Sequence, residues 1–315
     1  SSDLPGRLPA YLALAYAMLV IYASLHPFSG WRDAGLSPWA FIEGGWPRYW
    51  TYFDLGANML AYIPLGFLLA LAIPASPPAA ALTAILIGCG ISFGMEAIQT
   101  WLPSRIPSNL DFASNTLGAI AGALLAIGFG KRFFRTLHGI RRQLTPHAHA
   151  EIVLVLVGLW LLSQLSPETF LFGAGDLRHL LAIAPTLNYA PSSFFALETG
   201  ITVCNAIAIG LIVRALLAPP RSTTGFLLAF FMLALCIRTL AAAILVGPQQ
   251  AFIWLTPGAG LGLTIGGAML FVLLLLPPSW RIAVAGLALM AGTVLVNATP
   301  PNPYSTAAMA ACAVA

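Results

Sequence analysis

Long apolar runs, each near the length that crosses a bilayer, alternate along the chain with short joints rich in Pro, Gly, Ser and charge. A transmembrane helix needs about 20 apolar residues. Nine stretches meet or approach that length: 8–25, 54–73, 80–101, 110–129, 150–165, 193–217, 223–247, 259–277 and 279–297. The pattern predicts an all-α, polytopic transmembrane helix bundle of about nine spans. The first run follows Arg7 and lacks a clear A-x-A cleavage site, so a retained helix is expected rather than a signal peptide. The first residue is Ser, not Met, and a trimmed terminus is expected. The tail 303–315 is apolar but short for a span.

Composition agrees with the pattern. Of 315 residues, 59% are hydrophobic and 8% charged, and the mean hydropathy is +0.88. A soluble domain carries roughly a quarter charged residues, so this chain has too few to coat a globule in water. The net charge of +4 is small, and nucleic acid is not implied as a partner. The placement of the 14 Lys and Arg residues is more informative. Lys131, Arg132, Arg135, Arg141 and Arg142 crowd one joint, which the positive-inside rule assigns to the cytoplasm. Alternation then places Arg7, Arg214, Arg221 and Arg281 inside and Arg32, Arg48, Arg105 and Arg178 outside, with a cytoplasmic amino terminus. The same basic joint divides the chain into three parts. These are a four-helix unit over 1–130, a basic cytoplasmic linker over 131–149 that is poised to touch anionic lipid, and a five-helix unit over 150–315. Cys89, Cys204, Cys236 and Cys312 form no CxxC pair and read as small apolar packing residues, with no zinc site and no disulfide framework.

Polar groups inside spans are costly and need a reason. In the first unit they gather at one level. Asp54 and Asn58 open the second span. Ser92, Glu96 and Gln99 end the third. Asp111 and Asn115 open the fourth, followed by Gly118 and Gly122, and Arg105 sits in the joint between. At about 100° per residue, Asp111, Asn115, Gly118 and Gly122 share one stripe, so three helices can aim carboxylates and amides at one outward-opening spot. Thr51-x-x-Asp54 and Ser108-x-x-Asp111 also resemble capping boxes. Capping leaves Asn58, Asn115 and Glu96 unexplained. Glu96 lies near a helix C-terminus, where the dipole disfavours an anion, and Arg105 is its nearest cation in sequence. The pairs Gly118/Gly122 and Gly90/Gly94 predict close helix packing. In the second unit, Glu198 and Arg238 are expected to form a buried ion pair. Trp160, Trp254 and Trp280 are expected as interfacial anchors, and the outer loop 166–192, with Glu168, Asp176, Arg178 and His179, is a joint or a lid.

An ordered series of these residues resembles the VanZ-like family of bacterial membrane proteins. It runs from Ser24 to Phe28 (SLHPF), through Asp54, Asn58, Leu60 and Tyr62-Ile63-Pro64-Leu65-Gly66, to Glu96-x-x-Gln99, Arg105, Asp111-x-x-x-Asn115, Gly118 and Gly122. The resemblance covers about 11–130 and none of the second unit. It implies a multi-pass protein of the bacterial cytoplasmic membrane, in a family named for a teicoplanin-resistance protein. The candidate ligand-binding residues are Asp54, Asn58, Glu96, Gln99, Arg105, Asp111 and Asn115, with His26, Arg32, Glu198 and Arg238 as secondary candidates.

Three functions compete on this reading. The first is a cell-envelope protein that binds a lipid headgroup or a lipophilic glycopeptide. Its arginines would meet phosphate, and its carboxylates would meet amines or sugar hydroxyls. The second is an intramembrane enzyme acting on lipid-linked substrates, with paired carboxylates as acid and base or as ligands for a hard cation. No paired metal motif on one helix, no His beside Ser or Cys, and no Gly-rich phosphate loop supports it. The third is a lipid or small-molecule transporter, whose site should lie near the midplane, where only Asn205, Glu198 and Arg238 are placed to serve. Membrane lipids are the expected partners, no cofactor or metal is implied, and the oligomeric state is left open.

Overall fold

The structure, a computed structural model, describes residues 7–178, 190–217 and 223–300, except 27, 29, 34, 36, 48 and 142–148; residues 137–141 and 223 are described by backbone alone. Pro27, Arg48, Arg142, His179, Arg221, Cys312, the tail 303–315 and the Arg141 side chain lie outside the described residues.

Regular structure among the described residues is helical: α1 (Leu8–Leu25), α2 (Ala40–Glu43), α3 (Tyr52–Ala72), α4 (Pro77–Gln99), α5 (Asn109–Arg141), α6 (Ala150–Ser163), α7 (Pro191–Leu216), α8 (Thr223–Leu245), a 3-10 turn (Pro248–Gln250), α9 (Pro257–Leu273) and α10 (Pro278–Ala298). All nine expected runs are helices. Seven of them, α1, α3, α4, α5, α7, α8 and α10, are long and apolar enough to cross a membrane. Leucines in mid-span stand exposed on the protein surface, Leu60 at 67% and Leu86 at 64%, as lipid-facing side chains do. The protein is a polytopic helical membrane protein. The other two of the nine expected spans, α6 and α9, are shorter apolar helices. At 14 residues and 1.5 Å per residue, α6 is about 21 Å long against a hydrocarbon core of about 30 Å. The 17 residues of α9 stand at the lower bound for a span.

Helix starts follow local chemistry. Thr51 and Asp54 complete a capping box at α3. The Ser108 hydroxyl accepts from the amides of Leu110 and Asp111 at the start of α5. Proline occupies the first turn of α4, α7, α9 and α10, where its missing N–H costs nothing. The joint expected to begin at 131 does not begin there: α5 continues as helix to Arg141.

The chain divides into two compact units, Ser1–Arg142 and Gln143–Ala315. In the first, α3 and α5 make the closest crossing. A Cβ on Gly122 would strike the Ile63 carbonyl, and one on Gly118 the Met59 carbonyl, while Ala119 of α5 presses on Gly66 of α3. These contacts bear out close packing at Gly118 and Gly122. Gly90 and Gly94 do not share that role, because a Cβ at either meets nothing within 4 Å. α1 lies against α3, where the Tyr16 hydroxyl donates to the Ala61 carbonyl at 3.0 Å. That carbonyl is in the turn loosened by Pro64, whose ring interrupts the helix ladder. A rim of exposed aromatics, Trp46 at 70%, Tyr49 at 94% and Tyr52 at 82%, surrounds the end where α3 begins, as an interfacial belt would.

In the second unit α7 is central, with α9 and α10 along it. α7 and α9 run parallel: Gly258, Gly262 and Gly266 of α9 face Glu198, Thr202 and Ala206 of α7 in turn. This stripe of small residues was not read from the sequence, although its four-residue spacing is plain in it. Trp160 and Trp254 are not interfacial anchors. Both are buried. Trp160 stacks on Phe230 and donates to the Phe172 carbonyl, and Trp254 donates to Thr239. Trp280, 64% exposed, keeps the expected character. Cys89 and Cys204 are partly buried, whereas Cys236 is exposed rather than packed.

Candidate functional site

Three helix ends meet in the first unit: the starts of α3 and α5 and the end of α4. Each brings two polar side chains one turn apart, Asn58 and Tyr62 from α3, Ser92 and Glu96 from α4, and Asp111 and Asn115 from α5. Residues four apart lie on one helix face, so each pair presents a ladder toward the shared interior. The ladders interlock. Asn58 Nδ2 donates to Asp111 Oδ1 at 2.8 Å, and Asn115 Nδ2 donates to Ser92 Oγ at 3.1 Å. Glu96 Oε2 accepts from the Ser108 backbone N–H at 2.8 Å. Tyr62 turns its hydroxyl toward Ser92 and Glu96 without completing a hydrogen bond, and Asn115 Oδ1 is likewise unsatisfied.

Burial grades the two central acids. Glu96 is 3% exposed, while Asp111 is half-buried. The two carboxylates lie within electrostatic reach of one another, and Asp111 also feels Asp54. No basic side chain among the described residues forms an ion pair or hydrogen bond with either. Two nearby carboxylates are therefore held by neutral donors alone, the arrangement in which an added donor or cation gains most.

The expected partnership of Glu96 with Arg105 is not formed. Arg105 reaches back to α1, where its Nε and Nη2 donate to the His26 carbonyl and its Nη2 to the Ala23 carbonyl, at 3.1 to 3.3 Å. The reason is geometric. α1 ends at Leu25 with last-turn carbonyls that have no intrahelical donor, and the joint carrying Arg105 passes beside them. Gln99 makes the same connection, donating to the Ser24 carbonyl at 3.0 Å. Both residues secure α1 rather than line the cluster. Asp54 is exposed and caps its own helix. His26 and Arg32 are exposed on the same side; the His26 ring lies beside Tyr22, and the Arg32 backbone N–H donates to the Trp101 carbonyl. Of the seven primary candidates, the structure thus brings Asn58, Glu96, Asp111 and Asn115 together. It adds Tyr62, which sequence reasoning missed as a site residue although it stands one turn beyond Asn58. Beside the cluster, Phe41 of α2 packs on Phe93 and Phe112, and Trp39 on Phe93, covering one flank with aromatic rings.

This arrangement falls within residues 10–134, and that segment matches the VanZ/LLP1 family model. Over that segment the first unit is similar to the VanZ/LLP1 family. The match ends before α6 begins, so the second unit lies outside the VanZ-like segment. No curated protein matches the chain, and no solved structure does.

Beyond the VanZ-like unit, the expected Glu198–Arg238 ion pair is absent. Arg238 is 1% exposed. It donates to the Pro167 carbonyl at 3.1 Å, to Gln164 Oε1 and Thr169 Oγ1 at 3.4 Å, and closely to the Thr169 carbonyl. Its guanidinium fastens the turn after α6. Glu198 is buried against Gly258 and Thr256 at the start of α9. Asn205 is fully buried and donates within its own helix to the Ile201 carbonyl. Outside the spans, Arg178 bonds both carboxylate oxygens of Asp176, which raises its pKa, and donates to the Thr299 carbonyl. Among the described residues, no three His, Cys, Asp or Glu side chains gather as a metal-ligand set.

Proposed function

We propose that the VanZ-like unit binds the polar head of a membrane-anchored amphiphile, a lipid headgroup or a lipophilic glycopeptide of the teicoplanin kind, at the cluster of Glu96, Asp111, Asn58, Asn115, Ser92 and Tyr62. One observation carries the reading. Two acids removed from water have only neutral donors, Asn58 and the Ser108 N–H, and unsatisfied polar atoms on Tyr62 and Asn115 stand beside them. The chemistry that completes such a site is a donor-rich group, an amine or several sugar hydroxyls. Phosphate is disfavoured there, since Arg105 is occupied with α1. The aromatic rim at the same end suits a ligand whose tail stays in lipid. By the distribution of basic residues, this end faces outward.

The test is binding of teicoplanin, and of a glycopeptide without the acyl chain, to the full chain in lipid nanodiscs. A hydrogen bond to a charged group contributes about 1.5–3 kcal/mol, so Glu96→Gln with Asp111→Asn should weaken the acylated ligand at least tenfold. Unchanged affinity in that double variant would reject the reading. An intramembrane enzyme is the second reading, favoured by the unequal surroundings of Glu96 and Asp111. Turnover of a lipid-linked substrate that disappears in Glu96→Gln would select it.

A further inference from the structure

A cavity of about 190 Å³ lies in the second unit among α7, α8 and α9, lined by Leu227, Phe231, Leu263, Gly267, Leu270 and Leu274 among others. Its walls are apolar, and it opens between α8 and α9 past Leu228, 63% exposed, and Phe271, 61% exposed. From Leu263 to Leu274 it follows eleven residues of chain, about 16 Å at 1.5 Å per residue. That is roughly half of a 30 Å hydrocarbon core, the depth of one leaflet.

The end of this cavity is cationic. α7 and α9 run parallel with Gly210 opposite Leu270, which brings Arg214 of α7 to the level of Leu274. Arg281, in the first turn of α10, lies close enough for the two guanidinium groups to repel one another. Both arginines are half-buried. Arg214 spends one nitrogen on the Leu217 carbonyl at 3.2 Å, and among the described residues no carboxylate pairs with either. The exposed Trp280 adjoins Arg281 and marks this level as the membrane–water boundary. Two like charges held together beside an apolar slot one leaflet deep complement an anion that carries a hydrocarbon chain.

We infer that the second unit binds an anionic glycerophospholipid, with one acyl chain in the α7–α8–α9 cavity and the phosphate on Arg214 and Arg281. The site belongs to the second unit and is independent of the ligand proposed for the VanZ-like unit.

The experiment uses the full chain, delipidated in detergent and titrated with phosphatidylglycerol or phosphatidylcholine, with bound lipid counted by native mass spectrometry. One phosphatidylglycerol is expected to bind about thirtyfold more tightly than phosphatidylcholine, near what two arginines at a membrane surface contribute. Replacing both with glutamine (R214Q/R281Q) should erase that preference. Gly267→Leu places a side chain in the cavity from a position where a Cβ meets nothing within 4 Å, so the fold is spared, and it should weaken both lipids several-fold. Equal binding of the two lipids by the parent chain overturns the inference. So does full phosphatidylglycerol binding in Gly267→Leu, which would reduce the arginines to surface attraction alone. Competition by inorganic phosphate as effective as by the lipid would show an anion site without a chain, and would overturn it too.

Discussion

Asn58 on α3 and Asp111 on α5 meet at 2.8 Å across the closest helix crossing of the VanZ-like unit. Neither residue is expensive alone at a helix start, but the crossing removes Asp111 from much of its water, and Asn58 supplies the donor that replaces it. The pair is both a lock between two helices and a wall of the candidate site. Asn58→Leu should therefore lower the stability of the detergent-solubilised protein by about 1 kcal/mol, the usual scale of such bonds in membrane proteins, and thermal unfolding would read it. A change within error would mean that the bond contributes nothing to holding α3 on α5.

Glycine substitutions separate crossing from surface. A Cβ at Gly122 would collide with the α3 backbone at Ile63, whereas one at Gly94 meets open space. Gly122→Ala should drive α3 and α5 apart and depress the melting temperature by several degrees. Gly94→Ala should leave it unchanged or raise it slightly, because alanine is the better helix former by about 1 kcal/mol. Equal effects of the two would contradict the crossing.

Arg105 holds the end of α1, so its loss should be felt there and not at the acidic cluster. In Arg105→Ala the backbone amides near Tyr22 and His26 should exchange hydrogen faster, while those around Glu96 keep their protection. Faster exchange at Glu96 with no change in α1 would restore the Glu96–Arg105 partnership expected from sequence.

The separation of Glu198 from Arg238 has a thermodynamic signature. Arg238→Leu removes the donor that satisfies the Pro167 and Thr169 carbonyls and should cost about 3 kcal/mol or more, as the breaking of buried charge networks does. Glu198→Gln should cost less. The two effects should add, since the groups share no bond. A coupling energy near 1 kcal/mol or greater in the double-mutant cycle would show that they interact.

Much of the helical frame was legible because lipid leaves few alternatives. Backbone polar groups must be satisfied inside each segment, so the apolar runs had to be helices, and their bounds follow from caps such as Thr51/Asp54 and from prolines such as Pro191. The convergence of Asn58, Glu96, Asp111 and Asn115 was legible for a related reason: helical spacing fixes faces, and only three helix ends were available to share them. The polar partnerships were harder to read. Glu96 found a backbone N–H at Ser108, and Arg105 and Arg238 found carbonyls. Proximity in sequence favours charge pairing, but open carbonyls at the end of α1 and in the turn after α6 offered the guanidinium groups several acceptors at once. Nothing in a one-dimensional pattern records which carbonyls a helix end leaves open. The length of α6 was close to the expected run 150–165, whereas the return of Phe172 onto Trp160 was not legible in the pattern.

The continuation of α5 to Arg141 changes the mechanical character of the VanZ-like unit. One unbroken helix of 33 residues joins Asp111 to the basic residues at its far end, a rod of about 50 Å. Pivoting by about 10° around its acidic end would sweep the opposite tip through roughly 9 Å, by the same rise per residue. α5 thus links the level of Asp111 mechanically to Lys131, Arg132 and Arg135 near its far end, without any second moving part.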